Sequence, residues 1–194
     1  KSILRRTTIL SEQVFSITPK YVKTQHQKIP YDYLVIATGI DYPILISNNQ
    51  NAYVLKTGDD AIRIANELQQ NTHLLIAGGG IIGTEIASEI ITKQPDKKVT
   101  LVHAHQHLIE RTSPDAWEYA EEFLAKNGVT FFFSEKIISQ TNGLFLTDNN
   151  HHISADLCIF CTGIRPNPTF LQGFEQECFS QKNFLAVNKY LQLK

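Results

Sequence analysis

Gly78, Gly80 and Gly83 are spaced as G-x-G-x-x-G between an apolar run, His73-Leu74-Leu75-Ile76-Ala77, and a stretch of helical periodicity from Thr84 to Thr92. In that setting the pattern has a physical meaning. The first glycine permits a tight strand-to-helix turn, the second lets a pyrophosphate approach the backbone, and the third lets helix and strand pack closely. Backbone N–H groups along Gly78, Gly79, Gly80, Ile81, Ile82 and Gly83, with the positive end of the following helix dipole, then make an anion site. The chemistry so implied is dinucleotide binding. A tight turn with no ligand, or one serving another phosphate, is the plainer alternative; a Walker A loop is excluded because no Gly-Lys-Ser/Thr follows.

A dinucleotide site usually places an acidic residue about 20 positions on, at the end of the second strand, to bind the ribose 2′-hydroxyl. Here Lys98-Val99-Thr100-Leu101-Val102-His103 puts His103 in that place. With no carboxylate to repel a 2′-phosphate, the site need not exclude NADPH, and a protonated imidazole would attract it. NADH remains allowed, so the expected cofactor is NAD(P)H.

The elements that must hold these residues follow from periodicity. Strand, glycine turn, helix and strand make one βαβ unit. Upstream, Thr57-Gly58-Asp59-Asp60 opens a helix running to Gln70 with Ile62, Ala65 and Leu68 at helical spacing and the acidic pair at the positive end of its dipole. Downstream, Ser113 caps a helix with Pro114 at its first position, Gly128 stops it, and an aromatic strand covers Val129 to Ser134. Short strands around the Asn142-Gly143 and Asn149-Asn150 turns form a small meander from Lys136 to Asp156. The apolar run Leu157-Cys158-Ile159-Phe160-Cys161 follows.

A first meander is expected from Arg6 to Ala37, ending in Tyr33-Leu34-Val35-Ile36-Ala37, a continuous apolar run of the kind buried on both faces at the centre of a sheet. Asp41 to Asn51 has loop composition and marks a domain boundary. YLVIATG and LCIFCTG echo one another, each after a meander, which suggests two related nucleotide-binding folds with one of them incomplete. The fold class is therefore α/β: a Rossmann-like NAD(P)-binding domain with a three-layer core and a β-meander, flanked by pieces of a second domain.

Composition narrows the function classes. The chain has 194 residues, 42% of them hydrophobic, enough to bury a core. Its 18 basic and 19 acidic side chains leave no field to favour nucleic acid or anionic lipid. No apolar stretch of about 18 residues or more, as a spanning helix requires, is present, and KSILRRTTIL lacks the apolar core of a signal peptide. Three cysteines, an odd number, argue against a secreted disulfide framework and point to a reducing compartment. The absence of any Met, and a beginning that reads as the middle of a sheet, lead to the expectation of a fragment.

Weaker groupings have plainer readings. Cys158 and Cys161 form a C-x-x-C, but in a strand positions three apart point to opposite faces, so buried thiols are expected rather than a redox or metal pair. His103, His105 and His107 would share a face, and so a metal, only if the strand continued past His103, where a loop is expected. Arg5-Arg6, Lys97-Lys98 and His151-His152 are assigned to solvated surface or turns.

Taken together, YDYLVIATG, IAGGGIIGTE, VTLVHAHQHLI and ADLCIFCTGIRPN, in that order, resemble the motifs of the pyridine nucleotide-disulfide oxidoreductase superfamily. Within it the resemblance is to the branch of apoptosis-inducing-factor-like proteins, ferroptosis suppressor proteins and type II NADH dehydrogenases. That resemblance implies an FAD-binding domain interrupted by an NAD(P)H-binding domain, with hydride passing from nicotinamide to flavin and then to a small acceptor such as a quinone. It assigns residues 1–51 to part of the FAD-binding domain, 52–163 to the NAD(P)H-binding domain and 164–194 to a return segment. It also implies that Thr38 and Gly39 line the FAD site, that Thr162 and Gly163 lie by the nicotinamide nucleotide, and that Glu85 lies near nicotinamide and flavin. No residue is given a catalytic role.

The family's own opening G-x-G-x-x-G for FAD and its closing glycine-aspartate motif are missing; Val187 to Gln192 resembles the segment just before the latter. Poor FAD binding by this chain alone is therefore expected. A non-catalytic NAD(P)H-binding module and a truncated remnant are the rival readings. Membrane contact is expected only through segments outside this chain, and localisation stays open among intracellular, cytoplasmic and mitochondrial or membrane-associated sites.

Overall fold

The computed structural model describes residues 7–42, 44, 46, 51–181 and 183–193. Arg5, Arg6 and much of the Asp41–Asn51 loop lie outside the described residues. Two compact units emerge, one of residues up to Asp41 together with those from Arg165 onward, the other Tyr42–Ile164.

In the first unit β1 (Val14–Ile17), β2 (Tyr21–Thr24) and β3 (Lys28–Pro30) form an antiparallel meander in that order. Thr18 organises the β1–β2 turn, its hydroxyl accepting from the Tyr21 N–H at 3.2 Å. Two bridges tie the early and late segments of this unit together: Ile17 pairs with Leu171, and Asp41 and Arg165 exchange backbone hydrogen bonds of 2.9 and 2.8 Å.

The run Tyr33–Ala37, expected as a strand at the centre of a sheet, is irregular here, with Tyr33 95% and Val35 87% exposed. The reason is physical: an apolar run becomes a buried strand only when neighbours take up its backbone hydrogen bonds, and among the described residues no strand pairs with it. The Ile9-Leu10 run likewise lies outside any strand.

The second unit contains β4 (Ala52–Tyr53), α1 (Gly58–Gln70), β5 (His73–Ala77), α2 (Ile81–Lys93), β6 (Lys98–His103), α3 (Pro114–Lys126), β7 (Thr130–Phe133), β8 (Ile137–Thr141), β9 (Leu144–Thr147), β10 (His152–Ser154) and β11 (Leu157–Phe160). Five of these strands form a parallel sheet in the order β4-β11-β5-β6-β7, and β8, β9 and β10 form the second meander. Asn142 and Gly143 turn the β8–β9 hairpin with φ of 50° and 77°, the paired left-handed geometry of a type I′ turn.

The parallel strands alternate their side chains between two cores. Leu74, Ile76, Val99, Leu101, Leu157 and Ile159 face α1, α2 and α3, while Leu75, Ala77, Val102, Cys158 and Phe160 face the second meander through Ile137, Phe145 and Ile153. Helices, parallel sheet and meander are thus three layers. Both faces are covered, which is why these strands are continuously apolar rather than alternating. Each fully buried Leu or Ile contributes roughly 1.5–3 kcal/mol.

Helix α1 begins with a capping box: the Thr57 hydroxyl accepts from the Asp60 N–H at 3.2 Å, and the Asp60 carboxylate accepts from the Thr57 N–H at 2.8 Å. Its inward face is Ile64 and Leu68, whereas Ile62 and Ala65, expected inside with Leu68, face solvent. Residues four apart share a helix face more closely than an i, i+3, i+6 series, and the Ile64–Leu68 pair meets the core. Asp156 locks the base of the sheet, its carboxylate accepting from the Thr72 and His73 N–H groups at 3.0 and 2.9 Å.

Candidate nucleotide site

The glycine turn stands at the carboxyl edge of the parallel sheet, where β5 gives way to α2. Gly78 has φ +115°, a conformation side chains rarely adopt, and a Cβ there would lie 2.5 Å from the Cys161 carbonyl oxygen. Its N–H donates to the Val102 carbonyl at 2.7 Å, which carries the β5–β6 ladder one residue into the turn. A Cβ on Gly83 would collide with the Gly78 carbonyl, so only glycine lets α2 press against the turn. Gly80 differs: a Cβ there would meet nothing within 4 Å. Packing therefore explains glycine at 78 and 83 but not at 80, where the open face is what a ligand would need.

Gly80 is also the N-cap of α2, without a side-chain cap, and no acidic side chain occupies the first turn. The first intrahelical bond runs from the Thr84 N–H to the Gly80 carbonyl at 3.0 Å. The N–H groups of Ile81, Ile82 and Gly83 precede it and have no acceptor within the helix. Ile81 and Ile82 themselves are exposed beside this opening. An anion carrying its own acceptor oxygens fits such a place, both by hydrogen bonding and by the helix dipole.

Residues after β6 hold the turn from below. Gly79 is buried, and a Cβ on it would strike the Leu108 side chain and come within 3.0 Å of the His103 ring. The Gly79 carbonyl accepts from the Ile109 N–H at 2.8 Å, and the Gly79 N–H donates to His103 Nδ1 at 3.0 Å. Loop 104–109 is anchored in turn by Glu121 of α3, whose carboxylate accepts from the Leu108 N–H at 2.9 Å. His107 stacks on Trp117 at 3.7 Å.

His103 therefore has a different position from the one expected of it. It is only 8% exposed. Burial, and then the charge of nearby His105, hold its imidazole below the usual value against the opposing pull of Glu110 and Glu121. A protonated ring waiting for a 2′-phosphate does not fit this environment. With His105 and His107 it makes no metal-holding group among the described residues: β6 ends at His103, and His105, edge-on to the His103 ring at 5.2 Å, approaches Glu110 at 3.3 Å.

On the other side, the Cys161 N–H donates to the Ala77 carbonyl at 2.7 Å, which brings Thr162 and Gly163 beside Gly78 at the same sheet edge. Both are exposed, and Gly163 has φ +102°. Glu85 stands on the exposed surface of α2. Thr38 and Gly39 are exposed irregular backbone of the first unit, Gly39 with φ +73°. The two cysteines of β11 and its exit point to opposite cores, Cys158 to the meander side and Cys161 to the helix side. Burial drives the Cys158 thiol well above its ordinary value and that of Cys161 up to about 12.

The turn, the open N-cap and the sheet edge place a phosphate-binding geometry outside the carboxyl ends of adjacent parallel strands, the usual ligand position in such sheets. Residues 3–194 match the sequence profile described as pyridine nucleotide-disulphide oxidoreductase. The chain belongs to that family. Ferroptosis suppressor protein 1 of Taeniopygia guttata is 27% identical over 94% of this chain and 52% of its own length. The Homo sapiens protein of the same name is 28% identical over 87% of this chain and 48% of its own. This chain spans about half the length of these relatives. The reduced CoADR-RHD of Bacillus anthracis shares the fold with a TM-score of 0.79 at 19% identity, covering 93% of this chain and 35% of that one. So does the water-forming NADH oxidase of Lactobacillus brevis bound to NADH, with a TM-score of 0.73 at 24% identity over 82% of this chain and 38% of that one.

The family is one of flavin-containing, nicotinamide-nucleotide-dependent oxidoreductases, and this member falls with its apoptosis-inducing-factor-like and ferroptosis suppressor branch. Leu108, Ile109 and Glu121 are the supporting residues that the sequence did not single out. Their one local sign was the apolar Leu108-Ile109 pair inside an otherwise polar loop.

Proposed function

We propose that this chain is the NAD(P)H-binding portion of an FAD-dependent oxidoreductase that delivers electrons to a small quinone-like acceptor. The observation that carries the reading is Gly80: a glycine with open space above it, at an uncapped helix N-terminus, flanked by two glycines that packing does require. In this reading residues 52–163 bind the nicotinamide nucleotide, and residues 1–51 and 164–194 contribute to the flavin domain.

When bound, the dinucleotide supplies a hydride and the flavin accepts it. This chain's residues bind and orient. The Ile81, Ile82 and Gly83 N–H groups hold the pyrophosphate, Thr162 and Gly163 border the nicotinamide half, and Thr38 and Gly39 border the flavin. No acidic side chain ends β6, so NADH and NADPH are both accepted.

Titration of the chain with NADH, followed by nucleotide fluorescence, tests the binding half of this reading. Saturable binding competed by NAD+ is expected, and absence of binding refutes it. NADH-dependent reduction of a short-chain quinone by the flavin-loaded protein tests the acceptor; reduction of a ferredoxin or a disulfide in its place would replace the quinone.

A further inference from the structure

We infer that His103 is a positioning residue for nucleotide binding, bracing the glycine turn from within through its Nδ1 lone pair and making no contact with the ribose. The inference rests on the nucleotide-binding reading above and goes beyond it by fixing what the residue in the usual ribose-binding place does.

A backbone N–H can only donate, so at 3.0 Å from the Gly79 nitrogen His103 Nδ1 must present its lone pair. The neutral ring then carries its proton on Nε2. The nitrogen facing the turn is thereby engaged, and the ring, almost wholly buried, has little surface left for a ribose hydroxyl or a 2′-phosphate.

The same ring fills the space under Gly79 opposite Leu108. Through His103 Nδ1 and the Ile109 N–H, the Gly79 peptide satisfies its donor and its acceptor inwardly. That orients the backbone so that the N–H groups following Gly80 are the ones left facing outward. A carboxylate in this place would reach for the ribose; a buried imidazole whose Nδ1 accepts from the Gly79 N–H reaches for the turn.

The titratable groups around the ring are His105, whose ring lies edge-on at 5.2 Å, with His107, Glu110 and Glu121. Protonation of His103 would set a second donor against the Gly79 N–H and remove the turn's acceptor. Nucleotide binding should therefore weaken in acid, and it should do so equally for NADH and NADPH, because the effect acts on the turn and not on the 2′-position.

Three proteins decide the matter: the wild-type chain, His103→Asn, whose Oδ1 can take the place of Nδ1 without titrating, and His103→Leu, which has no acceptor. NADH and NADPH affinities are measured from pH 8 to pH 5, with circular dichroism at each pH confirming the folded state. The wild type is expected to lose about tenfold in affinity for both nucleotides across that range, and His103→Leu about tenfold at pH 8. His103→Asn is expected to bind as the wild type does at pH 8 and to lose the acid dependence.

A NADPH affinity that rises relative to NADH in acid would overturn the inference, since that is the behaviour of an imidazolium meeting a 2′-phosphate. Unchanged binding by His103→Leu, or acid dependence retained in His103→Asn, would also overturn it. A wild-type chain that binds neither nucleotide at any pH would sink the nucleotide reading and this inference with it. Independently of binding, and of whether the variants fold, a ¹⁵N imidazole spectrum of the wild type showing the proton on Nδ1 would refute the bonding pattern; the Nε2–H form supports it.

Discussion

Replacing Gly80 by alanine separates ligand approach from packing, because the structure predicts opposite outcomes for fold and for binding. Gly80 has φ −72° and ψ −176°, which alanine adopts without strain. Alanine is a poorer N-cap than glycine by about 0.5–1 kcal/mol, while reduced freedom of the unfolded chain returns about 0.4–1 kcal/mol. With nothing within 4 Å of the new methyl, no clash is added. Net stability should stay within about 0.5 kcal/mol, a melting shift of less than about 2 °C at this chain length. The methyl would stand where a pyrophosphate must approach, and NADH affinity should fall at least about tenfold, or about 1.4 kcal/mol. Gly83→Ala is the control. Its methyl would collide with the Gly78 carbonyl, a backbone atom that cannot swing aside, and overpacking of this kind costs about 1–3 kcal/mol. Thermal melts and NADH titrations on both variants complete the comparison. Wild-type NADH affinity in a folded Gly80→Ala protein would refute the assignment of that open face to the nucleotide.

Stability should decline on acidification from about pH 6.5. His103 and His73 both have lowered imidazole values, chiefly through burial, so the unfolded chain takes up protons first; their stabilisation is complete above the unfolded value and is lost as pH falls towards the folded ones. Urea midpoints at pH 7.5 and 5.5 check this, and a midpoint that is flat or rises in acid would contradict it. Cys158 and Cys161 should resist a thiol-specific reagent in the native protein and react after unfolding, since burial keeps both as thiols; rapid native labelling at either position would show that β11 is not buried as described. Asp156→Ala should cost about 1–2 kcal/mol by stranding two strand-initiating N–H groups, visible as a melting temperature several degrees lower.

Much of the second unit was legible because strong local signals agreed there. The apolar runs at β5, β6 and β11, the glycine turn, the Ser113-Pro114 helix start and the Asn142-Gly143 turn each have a short-range physical cause, and the structure follows them to within a residue or two. The glycine motif also marked the open turn at the start of α2. What could not be read was anything decided by a neighbour distant in sequence. Tyr33–Ala37 has the composition of a central strand, yet its state depends on strands that must stand beside it. Ile62 and Ile64 are equally apolar, and which of them enters the core is set by how α1 is seated on the sheet. His103 occupied a slot whose usual occupant meets the ligand, and only the 3.0 Å approach of Gly79 shows it turned inward.

The exchange of hydrogen bonds between Asp41 and Arg165 has a consequence in time as well as space. The chain leaves the first unit, builds the whole of Tyr42–Ile164, and returns to the residue it left. Bringing two such distant points together from a random coil carries an entropic cost that an already folded excursion largely removes, since β4 and β11, its first and last strands, lie side by side. Forming the inner unit first therefore lowers the cost of completing the outer one. During synthesis β1 and β2 emerge before the inner unit, but the bridge from Ile17 to Leu171 waits for residues that follow it. The first meander is made before the inner unit and finished after it, and for that interval its strands are exposed to whatever else in the cell is looking for an edge.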